Sequence, residues 1–214
     1  MRSVSLEHVS TVLCIGAHSD DIEIGCGGAV LTLLARNPGV SVHWIVFTSD
    51  ERRAAEARAS AARFLDSASV TVIAVEQFRE RFLPFVAAEV KERFDRLGTE
   101  VDPDVIFTHH NADLHQDHRL LAELTHNTFR DHLVLEYEIP KYDGDLGRPN
   151  VFVHLDREFS DKKIETLLTS FPSQLDKDWF TEETFRALLR IRGVESRSPS
   201  GLAEGFHCRK LVLA

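Results

Sequence analysis

The sequence predicts a single α/β domain over residues 1–214, a Rossmann-like, mostly parallel sheet with helices on both faces. Three observations carry that expectation. Short apolar runs alternate with amphipathic patterns along the first part of the chain, the rhythm of βα units whose parallel strands need helical crossovers. A length of 214 residues suits one compact unit with a sizeable core. The composition, 43% hydrophobic and 28% charged, is that of an ordinary globular chain.

The elements follow in order. Residues 12–17 form a short apolar run, the first expected strand. Gly25-Cys26-Gly27-Gly28 then reads as a tight turn, leading into a helix over residues 29–35. Residues 40–48 are strand-like, residues 53–65 an Ala-rich helix, and residues 70–75 a third strand. Val86, Val90, Phe94 and Leu97 recur at helical spacing, with Gly98 as the expected stop. The Asp102-Pro103 break precedes a fourth strand at residues 105–108. The last third is less regular. It suggests strands at 134–139, 151–155 and 210–213, and helices at 161–168 and 182–191.

Charge and cysteine content narrow the partners. The chain carries 25 basic and 34 acidic residues, a net charge of −9. That balance argues against nonspecific binding to nucleic acid or an anionic membrane. No apolar run approaches the ~18 residues of a membrane span. Met1-Arg2-Ser3-Val4-Ser5 lacks the apolar core of a signal peptide. The three cysteines, Cys14, Cys26 and Cys208, form no CxxC pair, so they read as free thiols of a reducing, cytoplasmic setting. A homo-oligomer is left open.

Ligands of open α/β sheets bind beyond the carboxyl ends of the strands, and three polar clusters fall at such ends. His18-Ser19-Asp20-Asp21 follows the first strand, Thr48-Ser49-Asp50 the second, and the segment from His109-His110 to His118 the fourth. A helix beginning near Asp113 would put His115 and His118 on one face, with Asp117 able to approach either ring. A strand-end turn can aim His18 and Asp21 at one point with Asp20 beside them. Adding a histidine from the later cluster gives three ligands and leaves a position open for water, the pattern of catalytic zinc sites. Fe2+, Co2+ or Mn2+ would also accept His and Asp ligands. The glycines invite comparison with a dinucleotide-binding loop. Val30 stands at the third fingerprint position, however, and the preceding acids would repel a pyrophosphate.

Ala17-His18-Ser19-Asp20-Asp21 followed by Gly27-Gly28 resembles the AHPDD signature of the PIG-L/LmbE-like N-acetylglucosaminyl deacetylases. Asp113-x-His115-x-Asp117-His118 resembles their second signature. Arg53-Ala54-Ala55-Glu56 and Ala203-Glu204-Gly205-Phe206 are similar to two weaker family segments, and Ser19 departs from the usual proline. The resemblance implies metal ligation by His18, Asp21 and His118. It also implies Asp20 as general base and His115, supported by Asp117, as the oxyanion donor. The expected reaction is hydrolysis of the N-acetyl amide of an N-acetylglucosamine-type sugar or conjugate by metal-activated water. A non-sugar acyl amide, or a non-catalytic sugar-binding role, are the alternatives.

Arg53, near the end of the second strand, is the expected substrate-binding residue. His109 and His110 are further cleft candidates, as are Tyr142, Trp179 and Phe180. Trp44 is expected in the core.

Overall fold

The computed structural model describes residues 4–212. Its elements are β1 (Thr11–Gly16), α1 (Asp21–Arg36), β2 (Ser41–Thr48), α2 (Glu51–Phe64), β3 (Val70–Phe78), α3 (Ala87–Glu100), β4 (Val105–His109) and α4 (Gln116–Thr128). The chain continues through β5 (Leu133–Tyr137), β6 (Val151–His154), α5 (Arg157–Ser170), α6 (Glu182–Ser196) and β7 (Ala203–His207). Single 3-10 turns lie at Leu83–Val86 and Pro172–Gln174.

One seven-stranded sheet runs in the order β3-β2-β1-β4-β5-β7-β6. β1 to β5 pair in parallel, while β7 is antiparallel to both β5 and β6. Side-chain alternation along the strands builds two cores. Val12, Cys14, Val42, Trp44 and Val46 join residues of α1, α2, α5 and α6 on one face. Leu13, Ile15, Ile45 and Phe47 join residues of α3 and α4 on the other. The expected mostly parallel sheet with helices on both faces is what the chain forms. The order reverses at β1, whose neighbours are β2 and β4. The two motif loops therefore leave adjacent strands at the topological switch point, where open α/β sheets bind ligands.

Several expected boundaries differ. Gly25, Gly27 and Gly28 lie inside α1 rather than in a turn. Their role is close approach: a Cβ on Gly25 would sit 2.1 Å from the Tyr137 ring, and one on Gly28 would sit 2.5 Å from Leu155. Gly98 does not end α3, which runs on to Glu100. α4 starts at Gln116, not near Asp113, and His115 is its N-cap. The expected strand at 210–213 is absent over residues 210–212, and Leu213 lies outside the described residues. The last strand is instead Ala203–His207, where a buried glutamate and a glycine mask the strand pattern. No helix among the described residues is long and apolar enough to cross a membrane.

Candidate metal centre

The β1–α1 loop is held by its backbone. The Ala17 carbonyl accepts the Thr48 N–H at 2.8 Å and the Thr48 hydroxyl at 2.7 Å, which ties the loop to the end of β2. The His18 N–H donates to Asp21 Oδ2 at 2.6 Å, closing a tight turn that folds the two side chains together. Asp20 occupies the N-cap of α1, yet its carboxylate caps no helix N–H. It turns instead to Arg53, whose Nη2 donates to Oδ1 at 2.7 Å.

Across the switch point, Asp113 organises the second loop. Its Oδ1 accepts the His115 N–H at 2.7 Å, and its Oδ2 lies 2.9 Å from His118 Nδ1. That contact fixes the proton on Nδ1 and leaves the Nε2 lone pair of His118 free, the usual device for orienting a metal-binding imidazole.

Three donor atoms then converge. His18 Nδ1 is 3.1 Å from Asp21 Oδ2 and 3.1 Å from His118 Nε2, and His118 Nε2 is 3.5 Å from Asp21 Oδ2. Ligands about 2.0–2.1 Å from a tetrahedral ion lie about 3.3 Å from one another, so this triangle fits such an ion without rearrangement. Two overlapping sets also converge, His18 with His115 and His118, and Asp21 with His109 and His118. His109 is the weaker donor, because its Nε2 already accepts the Ala17 N–H at 2.9 Å. Its Nδ1 is buried without a partner.

The electrostatics favour a cation. Burial raises Asp21, but His118, His18 and His109 around it hold it well below the usual carboxylate range. Burial lowers His18, yet Asp21 and Asp117 more than reverse this, to about 10. His118 is likewise raised by Asp21 and Asp113 against its burial. Burial raises Asp113, but its bond to His118 draws it down. Four carboxylates, Asp20, Asp21, Asp113 and Asp117, are almost fully buried around these rings. Buried carboxylates in that number need compensating positive charge; Arg53 meets Asp20 at 2.7 Å and Lys141 meets Asp113 at 3.0 Å, and a cation held at the donor triangle would serve Asp21.

The remaining expected residues gather at the same point. Burial pushes Asp20 up from its ordinary value, and Arg53 only partly opposes this. His115 stands edge-on to His18 at 4.7 Å between ring centroids and 4.6 Å from His118. Burial and the charges of His118 and His18 lower it to about 4. Its Nδ1 accepts the Asp117 backbone N–H at 3.2 Å, so the neutral ring carries its proton on Nε2. The Asp117 carboxylate, expected beside His115, is engaged elsewhere. It accepts the N–H groups of Arg81 at 2.6 Å and Leu83 at 3.2 Å and lies 3.4 Å from His18 Nε2. Arg53, expected to face substrate, is paired with Asp20, and its Nε is buried without a partner.

Sequence reasoning gives no role to Asp113 or to Tyr137. Asp113 stands inside the quoted motif, five residues before His118, and a carboxylate so close to a ligand histidine is the available signal. Tyr137 donates to the Ile15 carbonyl at 2.6 Å and lies 3.2 Å from His109 Nε2, a contact no local pattern announces. Tyr142 is 73% exposed, and Trp179 is half-buried under Lys177 Nζ at 5.4 Å. Phe180 and Trp44 are buried in the core.

The family described as PIG-L, GlcNAc-PI de-N-acetylase, matches residues 13–129. Among curated proteins, none matches the chain significantly. Solved structures share the fold, three of which follow. A conserved protein of Thermus thermophilus is 21% identical, with 95% of this chain and 96% of that one covered and a TM-score of 0.72. The N,N'-diacetylchitobiose deacetylase of Pyrococcus horikoshii is 21% identical, over 94% and 84%, with a TM-score of 0.69. The 4-carboxy-2-hydroxymuconate hydratase of Pseudomonas putida is 18% identical, over 96% and 98%, with a TM-score of 0.73. A deacetylase and a hydratase on one fold mean that the fold does not select the reaction; the site must.

Proposed function

Because the chain belongs to the PIG-L family, we propose that it is a zinc-dependent hydrolase that removes the acetyl group from an N-acetylglucosamine-type sugar or conjugate. The observation that carries the proposal is the donor triangle of His18 Nδ1, Asp21 Oδ2 and His118 Nε2, with edges of 3.1–3.5 Å, flanked by a carboxylate and an imidazole that are not part of it. A binding module would need only the triangle.

An amide resists hydrolysis because its carbonyl is a poor electrophile and its amine a poor leaving group. A zinc ion held by these three residues would polarise the acetyl carbonyl and lower the pKa of a bound water to about 7. Asp20 accepts a proton from water as its oxygen attacks the acetyl carbon. A carboxyl raised by burial holds that proton more firmly than an exposed one, and it delivers the proton to the sugar nitrogen as the C–N bond breaks. Acetate and the free amine leave. Arg53 fixes the Asp20 carboxylate through Oδ1, which leaves Oδ2 for the water. Neutral His115 donates its Nε2–H to the oxyanion that develops on the acetyl oxygen. The Asp113 carboxylate keeps His118 in the tautomer that can bind a metal.

The test is acetate release from a panel of N-acetyl sugars and acyl amino acids by purified protein with zinc, Fe2+, Co2+ or Mn2+ added back after chelation. Release from N-acetyl sugars, abolished by chelation, is the expected result. Release only from acyl amino acids would overturn the sugar assignment. Metal binding with no release from any compound would overturn the hydrolase reading.

A further inference from the structure

The chain places a buried ion pair against α1 that the reaction described above does not use. Lys163 of α5 and Glu204 of β7 meet at 2.6 Å, each side chain 3% exposed. Neither lies within the family match of residues 13–129. Both grip the backbone of α1. Glu204 Oε1 accepts the Gly28 N–H at 2.9 Å, and Oε2 accepts the Ala29 N–H at 2.7 Å. Lys163 Nζ donates to the Ile24 carbonyl at 2.6 Å. In a regular α-helix the Gly28 N–H belongs to the Ile24 carbonyl. The ion pair therefore bridges the two ends of that rung, Glu204 bonding its donor and Lys163 its acceptor.

Gly28 makes this approach feasible, because a Cβ there would stand 3.0 Å from Glu204 Oε1. On the same face of the helix, one turn earlier, the Tyr137 ring packs against Gly25. The Tyr137 hydroxyl also touches His109. Asp20 and Asp21 begin the helix one turn before Ile24. A helix transmits displacement of one turn to the next as a rigid body, so the carbonyl that Lys163 holds sets where the two carboxylates stand relative to His118.

We propose that Glu204, acting with Lys163, is a positioning residue for the metal-binding end of α1. It fixes the height and rotation of Asp20 and Asp21 by bridging both ends of the Ile24–Gly28 rung with a charged pair. This inference rests on the hydrolase reading given above. In Glu204→Gln the shape is kept, but an amide NH2 faces a backbone N–H and Lys163 is left buried without its counter-charge. In Lys163→Met the Ile24 carbonyl loses its donor.

The experiment is zinc affinity by chelator competition on the full chain at a temperature where every protein is folded, alongside kcat and KM for acetate release. E204Q and K163M should each weaken zinc binding about tenfold or more and lower kcat, with KM unchanged within about twofold. Glu204→Asp, which keeps the charge, should recover part of both losses and serves if E204Q does not fold. A brace with no positioning role would lower Tm and leave zinc affinity and kcat of the folded protein at wild-type values. That result in E204Q or E204D overturns the inference. If the wild-type chain itself binds none of zinc, Fe2+, Co2+ or Mn2+, the metal-dependent hydrolase reading fails and carries this inference with it, an outcome told apart because the parent and not the variant is at fault.

Discussion

Residues 13–129 and the region beyond them divide the labour of this molecule. The first stretch is a βα series on a parallel sheet, and it carries His18, Asp20, Asp21, Arg53, Asp113, His115 and His118. The second is antiparallel at the sheet edge and donates no ligand to the triangle. It nevertheless supplies Tyr137, Lys163 and Glu204, the groups that pack against one face of α1. The contrast teaches that the chemistry and its alignment are encoded in different parts of the chain. Local spacing sets which groups can react. Long-range packing, across 139 residues between Ile24 and Lys163, sets where they stand.

Changes in the first region should damage chemistry or metal binding with little loss of stability; changes in the second, away from the groups that contact α1, should do the reverse. The largest effect is expected for Asp20→Asn, which removes the proton acceptor. Turnover should fall about 10²–10⁴-fold, read as kcat with zinc content unchanged. Retention of more than a tenth of the activity would remove Asp20 from its role.

In the second region, Arg192→Met should act on stability alone. Arg192 holds Glu138 through two bonds, Nη2 to Oε1 at 2.6 Å and Nε to Oε2 at 2.8 Å, both side chains nearly buried. Leaving one member of a buried pair uncompensated costs about 3–5 kcal/mol, measurable by denaturant titration. Zinc affinity of the folded protein should not change; a loss of both would blur the division between the regions.

Asp113→Asn returns to the first region with a smaller effect. Weakening the grip on His118 Nδ1 should cost about 10–100-fold in metal affinity, by the same chelator competition.

The smallest expected effect is a pH dependence in the second region. Burial, then the facing charge of His110, lowers His207 to about 4 from 6.5. Between those values the unfolded chain takes up a proton that the native state refuses. The contribution of His207 is therefore fully present above 6.5 and is lost as pH falls through 6.5 toward 4. Tm of His207→Asn should decline less than that of the parent from pH 7 to 4.5; parallel declines would contradict the shift.

The same division explains what can be read in the sequence. Periodicity predicts β1, β2, β4 and the helices on both faces, because each buries a continuous apolar run or stripe. The motif loops are legible because the ligand types cluster at strand ends. The glycines of α1 read locally as a turn, since the Tyr137 ring that requires Gly25 lies 112 positions away in the sequence. β7 escapes the apolar pattern because Glu204 is buried by virtue of Lys163 and two helix N–H groups, partners invisible to a local window. Arg53 points to substrate on its position alone, and its pairing with Asp20 needs the fold. His109 stands beside the motif as an unassigned histidine; only three-dimensional packing reveals that its ring stacks on His118 at 3.8 Å between centroids while its Nε2 serves Ala17.

That stacked pair offers the sharpest discrimination. His109 and His18 both flank Asp21 and His118, at 3.2 and 3.1 Å from Asp21 Oδ2, but only His18 has a nitrogen turned into the triangle and free of a backbone donor. Zinc stoichiometry and affinity should be measured on purified His18→Ala and His109→Gln. We predict that H18A loses tight zinc binding, while H109Q keeps one zinc per chain with affinity reduced no more than about 100-fold. Tight zinc in H18A together with its loss in H109Q would contradict the assignment and move the ligand set to Asp21, His109 and His118.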